Sequence, residues 1–375
     1  MAAPESAIRG ITMGRTAEPG GHEGRAMTIQ AGKELRYPSK PVPGDRVAIL
    51  SPASGLPDIL PLPFELGLCR LREDFGLAPV EYPTTRRMNA DPRDRARDVM
   101  DAFTDPSIKA ILTSIGGSDE IRILPFLDRN LIVANPKPFF GYSDNTNLLA
   151  YLWNSGVIGY YGGSVMYHLG RPGALHPHST ESLRAALFTS GEYELRPATT
   201  WRDEDRDWAD PATFESEPAM KRADGWHWHN GDHAVEGTTW GGCFDVITLM
   251  AIADREIASP EAYEGCVFLM ETSEVMPRPA EVGYALQSFG ERGILGRFAA
   301  VVVGRPMTAA AHSPEDRATY APKLEEVVVA AVDRYAPGIP IVFNVDFGHT
   351  DPQLIIPFGG RVRIDGVGRR IWVTY

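Results

Sequence analysis

Apolar residues in this chain gather into short unbroken runs, each cut off by glycine, serine or proline. Arg46 to Leu50 runs into Ser51-Pro52-Ala53-Ser54-Gly55, and Lys109 to Thr113 into Ser114-Ile115-Gly116-Gly117. Pro138 to Gly141 leads to Tyr142-Ser143-Asp144, and Val157 to Tyr161 to Gly162-Gly163. Runs of this length without alternation are the mark of parallel strands covered on both faces. Stretches with helical spacing lie between them, at 62–75, 92–103, 119–127 and 145–154. Strand alternating with helix predicts an α/β fold, an N-terminal open parallel sheet flanked by helices in the Rossmann or flavodoxin manner.

A second series follows, at Gly265 to Met270, Phe298 to Gly304 and Ile339 to Asp346. The chain closes on 360–365 and 370–374, separated by Gly366-Val367-Gly368, which reads as an antiparallel hairpin. These predict a second, C-terminal α/β domain. The expected organisation is a disordered tail over 1–34, a first domain over 35–196, a connecting segment over 197–233 and a second domain over 234–375. The connecting segment has its own texture: Trp201, Trp208, Trp226 and Trp228, four of the seven tryptophans, sit among acidic, basic and histidine residues. Such a segment either anchors two bodies through its aromatics or folds over a substrate with a flat aromatic group.

Composition narrows the partners. With 375 residues, 43% hydrophobic, there is ample material for two cores. A formal charge of −12 works against a general binder of nucleic acid or anionic membrane, both of which need a positive face. Cys69, Cys243 and Cys266 are odd in number and far apart, which implies no disulfide framework and fits a reducing, cytoplasmic setting. No apolar run approaches the length of a membrane span, and no signal-peptide core is expected at the N-terminus.

In open parallel sheets ligands bind beyond the carboxyl ends of the strands, so polar residues there are the candidates. Ser143 follows one run and precedes a helix, the strand–corner–helix geometry of a nucleophile elbow. Its Gly-Tyr-Ser-Asp context lacks the common Gly-x-Ser-x-Gly signature, and Ser143 or Asp144 could simply cap the helix. Gly116 and Gly117 could turn their N–H groups toward an anion or merely make a tight turn. Glu271 ends the run Cys266 to Met270, with Glu274 and Glu281 as nearby competitors. His349, of nine histidines, alone combines a strand end with flanking glycine. His227, His229 and His233 form no compelling zinc set, so neither metal nor cofactor is expected. Serine, glutamate and histidine at strand ends are the parts of an acyl-transfer triad. The amides of Asp144 and of the Gly116-Gly117 turn are candidates for its oxyanion hole. Periodicity does not bring the three together.

Five motifs in order do more. Pro-Gly-Asp-Arg-Val-Ala-Ile-Leu-Ser-Pro-Ala-Ser-Gly at 43–55, Ser-Ile-Gly-Gly at 114–117, Gly-Tyr-Ser-Asp at 141–144, Phe-Leu-Met-Glu at 268–271 and Gly-His-Thr at 348–350 resemble the LD-carboxypeptidase family of serine peptidases. The resemblance covers 35–375. It implies a Ser143–Glu271–His349 triad between an N-terminal α/β domain and a C-terminal swivelling domain, with a homodimer as the usual assembly. One branch of that family trims D-alanine from murein tetrapeptides. The other, the microcin C immunity branch, cuts the amide joining an acidic aminoacyl group to a modified adenylate and so confers antibiotic resistance. The chain is more similar to the second. It has Ser-Ile-Gly-Gly where murein enzymes carry Arg-Gly-Gly-Tyr-Gly, and a long tryptophan segment where immunity enzymes stack a tryptophan on adenine, with Trp208 as the best match. Gly241-Gly242-Cys243-Phe244 departs from the commoner Gly-Gly-Asn-Leu. The expected partner is a small molecule, with a catalytically silent binding protein as the alternative of another class.

Overall fold

In the computed structural model, which describes residues 35–204 and 206–375, the four early apolar runs become adjacent strands. The expected tail over 1–34 lies outside the described residues. Across the first sheet the order is Ala78–Glu81, Arg46–Leu50, Ile108–Thr113, Phe139–Gly141, Gly159–Tyr161 and Ile356–Phe358. The first five are parallel, and in chain order they read 2-1-3-4-5, the flavodoxin arrangement. Connections in that order leave to opposite faces beside the first strand, which opens a crevice at the carboxyl ends. Val47 to Leu50 and Ala110 to Thr113 are buried, as unbroken apolar runs in a doubly covered sheet must be. Pro61–Glu73, Pro92–Thr104 and Thr146–Asn154 supply helices, each with its apolar side on this core.

The second sheet has eight strands, in the order Glu192–Leu195, Arg370–Thr374, Arg361–Asp365, Ala234–Cys243, Val267–Glu271, Ala300–Gly304, Ile341–Val345 and His227–His229. Its long strand Ala234–Cys243 pairs antiparallel with the C-terminal hairpin over its first half and parallel with Val267–Glu271 over its second. Gly241 makes that switch possible: its φ is +139°, and a Cβ there would fall 1.9 Å from the Leu269 carbonyl oxygen. Helices Pro279–Glu291 and Pro314–Tyr335 pack against each other on this lobe.

Sheet membership cuts across the expected domain boundaries. Glu192–Leu195, read with the first domain, pairs with Arg370–Thr374 in the second sheet. Ile356–Phe358, read with the second, pairs antiparallel with Gly159–Tyr161 and closes the first sheet. The 197–233 segment is partly ordered into regular structure: Thr200–Trp201 pairs with Lys221–Arg222, and His227–His229 forms an edge of the second sheet. The helix expected over 119–127 is two short turns, Glu120–Arg122 and Leu124–Phe126, because Pro125 removes the amide that would join them. Among the described residues no helix is long and apolar enough to cross a membrane, and all three cysteines are free.

Candidate active site

The strand Phe139–Gly141 ends, Tyr142 stays extended, and Ser143 turns the chain with φ +61° before the helix Thr146–Asn154 begins. A non-glycine residue in the left-handed region is strained, and such strain gathers where a side chain must be held at a corner. Gly116 lies directly alongside. A Cβ built on it would come 2.7 Å from the Ser143 Cβ and 3.4 Å from the Asp144 amide nitrogen, so only glycine allows the approach. Gly117 packs in turn on Ala53, which follows the first strand. The Asp144 side chain points away from the cleft, accepting the Glu120 amide at 2.8 Å and the Asn147 side-chain amide at 3.0 Å. Burial pushes the Asp144 carboxyl up to about 6.

Glu271 closes the strand Val267–Glu271 and is buried, which demands partners for its charge. It has two. Its Oε2 lies 2.7 Å from His349 Nδ1, and its Oε1 accepts the Tyr161 hydroxyl at 2.5 Å. Tyr161 also accepts the Ser143 amide at 3.3 Å, so one phenol ties the serine backbone to the carboxylate. Gly348, with φ +96°, leaves the room Glu271 needs: a Cβ there would sit 2.6 Å from Oε2.

His349 is buried among aromatics, its ring 5.0 Å from that of Tyr142 and its carbonyl accepting the Tyr167 hydroxyl at 3.0 Å. Its Nε2 lies 3.1 Å from an oxygen of Glu274. Burial alone would depress the imidazole, but Glu271 and Glu274 outweigh it and push it up to about 10. Glu274 is held low in turn by its hydrogen bond from the imidazole. Among the described residues the Ser143 hydroxyl makes no hydrogen bond to His349; Glu274 has taken that place.

Ser143, Gly116, Gly117, His349 and Glu274 line one cavity of about 520 Å³, a size usual for a small-molecule site. Arg202, Glu204, Arg206, Asp207 and Trp208 complete it from the 197–233 segment. Trp208 rests on Tyr167, ring centroids 6.2 Å apart, which couples the segment to the turn beneath His349. The other three tryptophans of the segment are anchors. Trp201 lies under Arg305 and Lys221, Trp226 donates to Asp346 at 2.9 Å, and Trp228 packs on Arg369. The anchoring reading of that segment therefore applies to three tryptophans, while Trp208 lines the cavity.

The competitors separate cleanly. Glu281 pairs with Arg278 at an exposed helix start, while Glu274 reaches the histidine on its other nitrogen. His227, His229 and His233 each face a different carboxylate, those of Glu325, Asp333 and Asp232. Among the described residues no three metal-donor side chains come together. Tyr161 was missed by sequence reasoning, although it too closes an apolar run, just before Gly162-Gly163.

Comparison with known proteins agrees with the two-lobed α/β fold. The LD-carboxypeptidase N-terminal domain matches residues 47–162 and the LD-carboxypeptidase C-terminal domain residues 236–364. The chain is 28% identical to the microcin C7 self-immunity protein MccF of Escherichia coli over 285 residues, 75% of this chain and 78% of that protein. It is 27% identical to the putative carboxypeptidase YocD of Bacillus subtilis over 350 residues, 90% of this chain and 99% of the other. The solved structure of an MccF-like protein from Streptococcus pneumoniae in complex with AMP superposes with a TM-score of 0.77 at 27% identity, covering 88% of this chain and 99% of that one.

Proposed function

Because the chain belongs to the LD-carboxypeptidase family of serine peptidases, we propose that it hydrolyses the amide between an acidic aminoacyl or peptidyl group and a modified adenylate, giving resistance to microcin C-like compounds. One observation carries the reading: a single cavity holds Ser143 and His349 together with Trp208 and the arginines Arg171, Arg202 and Arg206. The first pair suits acyl chemistry, and the rest suits a flat base joined to an anionic linker.

This chemistry begins once Glu274 has left Nε2 of His349. Ser143 Oγ attacks the scissile carbonyl while its proton passes to His349 Nε2. Glu271 on Nδ1 fixes the tautomer and stabilises the imidazolium. Negative charge growing on the carbonyl oxygen meets the amides beside Ser143, those of Asp144 and the Gly116-Gly117 turn. The carbon–nitrogen bond then breaks, Nε2 returns its proton to the leaving nitrogen, and water releases the acyl group from Ser143 by the same route. Trp208 offers a face to adenine, a contact worth roughly 1–3 kcal/mol. Similarity to a self-immunity protein and to an AMP-bound structure supports this substrate class.

Removal of D-alanine from L,D-linked murein tetrapeptides is the second reading, favoured by the match along nearly the whole of a putative carboxypeptidase. Mass spectrometry of products from aspartyl-sulfamoyl adenosine and from a murein tetrapeptide separates the two. Free aspartate from the adenylate alone is expected, and free D-alanine alone would replace this reading with the second. The proposal also takes the protein as a cytoplasmic homodimer, for which sedimentation of the purified chain at twice the monomer mass is the expected result.

A further inference from the structure

A carboxylate on the catalytic face of a histidine is out of place in a hydrolase. Glu274 Oε2 stands 3.1 Å from Nε2, the atom that must receive the serine proton. While it stays there the imidazole keeps protons on both nitrogens and has no lone pair to offer. Yet this carboxylate is poised to leave: its side chain is 58% exposed, it lines the cavity, and its only side-chain partner among the described residues is His349. The backbone on either side is pinned, since Ser273 donates its amide to Asp245 at 2.8 Å and Val275 donates to Ser273 Oγ at 3.3 Å. Departure therefore means rotation of one side chain about its own bonds.

What would draw it away is set by distance. A scissile carbonyl carbon in contact with Ser143 Oγ places the substituents of the α-carbon two bonds further on, within reach of a side chain that already touches Nε2. An unblocked aminoacyl group carries an ammonium at that position. We propose that Glu274 reads the free α-ammonium of the substrate: the carboxylate exchanges the imidazolium for the ammonium, Nε2 releases its proton to solvent, and the freed lone pair turns to Ser143. The exchange keeps one cation on Glu274 throughout and discharges one proton per substrate bound. This rests on the aminoacyl-nucleotide reading and narrows it to the aminoacyl form, since a peptidyl group has that nitrogen in an amide. In a murein tetrapeptide the nitrogen next to the scissile carbonyl is already in a peptide bond and brings no charge to Glu274.

The other groups facing His349 leave the two carboxylates in control. Burial holds His168 neutral, with its pKa lowered to about 3, and burial raises Tyr142 well above the ordinary phenol range. Tyr161 is raised by burial and by Glu271, and Tyr167 contacts the backbone carbonyl of His349 through its hydroxyl.

The test compares the full chain with Glu274→Gln and Glu274→Ala on aspartyl-sulfamoyl adenosine and its N-acetyl counterpart. Wild type is expected to favour the free amine by about 10–100-fold in kcat/KM, and both variants to lose most of that preference. The alkaline position of the rising limb of kcat/KM against pH is expected to move to lower pH in Glu274→Gln, since that profile reports the free enzyme. Equal cleavage of the two compounds by wild type, or an unmoved limb, would overturn the assignment while leaving the hydrolase reading intact. If wild type cleaves neither compound, the substrate reading fails, and labelling of Ser143 by a fluorophosphonate decides the rest. Faster labelling of Glu274→Gln at neutral pH upholds Glu274 as the group that restrains His349; equal rates remove it.

Discussion

At the scale of single residues, the proposed mechanism turns on the Glu271–His349 pair, which also sets a pH behaviour. Glu271→Gln keeps the shape but replaces an acceptor with an amide that cannot hold both Tyr161 and the Nδ1 proton, so the imidazole loses its tautomer. The expected loss in kcat is about 10³–10⁴-fold, with little change in KM, measured on aspartyl-sulfamoyl adenosine. The same pair predicts a stability profile. The folded protein raises His349 from an ordinary 6.5 to about 10, so it holds that proton more tightly than the unfolded chain does. Stability from this source is fully present below 6.5, and it declines as pH rises through about 10. Denaturant unfolding across that range is expected to show the decline in wild type and a shallower one in His349→Gln; identical slopes would contradict it. Ser143, Glu271 and His349 were legible in the sequence because each follows or closes a buried apolar run. Glu274 was visible only as a competitor to Glu271. Nothing in its neighbours says that a residue three positions past a strand end folds back onto the opposite nitrogen of the same histidine.

Among the elements, the elbow at Ser143 and the loop at Gly348 do the positioning, and both depend on glycine for clearance rather than for flexibility. Gly348→Ala would set a Cβ 2.6 Å from the Glu271 carboxylate in a backbone with φ +96°. The expected result is a loss of about 1–3 kcal/mol in unfolding free energy with a larger fall in activity. Gly116→Ala, whose Cβ would press on the Ser143 side chain, is expected to cost activity at nearly normal stability. Thermal unfolding and steady-state kinetics on the two variants check the contrast. The buried parallel strands and their following turns could be read because their apolar runs are unbroken. Short elements could not. Glu192–Leu195 is polar at alternate positions on a sheet edge, and Ile356–Phe358 is three residues interrupted by proline. Both owe their existence to partners distant in sequence. The tryptophan segment was illegible for the same reason: which indole anchors and which faces the cavity depends on Arg305, Asp346, Arg369 and Tyr167, none of them local.

For the whole molecule, the two lobes are stitched together by exchange of strands. Ile356–Phe358 leaves the second lobe to pair with Tyr161, and Glu192–Leu195 leaves the first to pair with Arg370–Thr374. The cleft between them carries Ser143 from one sheet and Glu271 with His349 from the other, so unfolding of either lobe dismantles the site. A single cooperative thermal transition is expected, with activity lost along the same curve. Two resolved transitions, or a first lobe that folds when residues 35–196 are expressed alone, would contradict this coupling. Against the net charge of −12, the cavity wall sets Arg171, Arg202 and Arg206 among Glu204, Asp207, Glu274 and Asp351.

The proposed activity stands or falls with Ser143 as the nucleophile toward an aminoacyl adenylate. The most direct test follows hydrolysis of aspartyl-sulfamoyl adenosine by wild type and by Ser143→Ala, with binding of the same compound to each measured by calorimetry. Release of aspartate by wild type, a fall of about 10⁴-fold or more in the variant, and retained binding are expected. Hydrolysis by Ser143→Ala within tenfold of wild type would contradict that role.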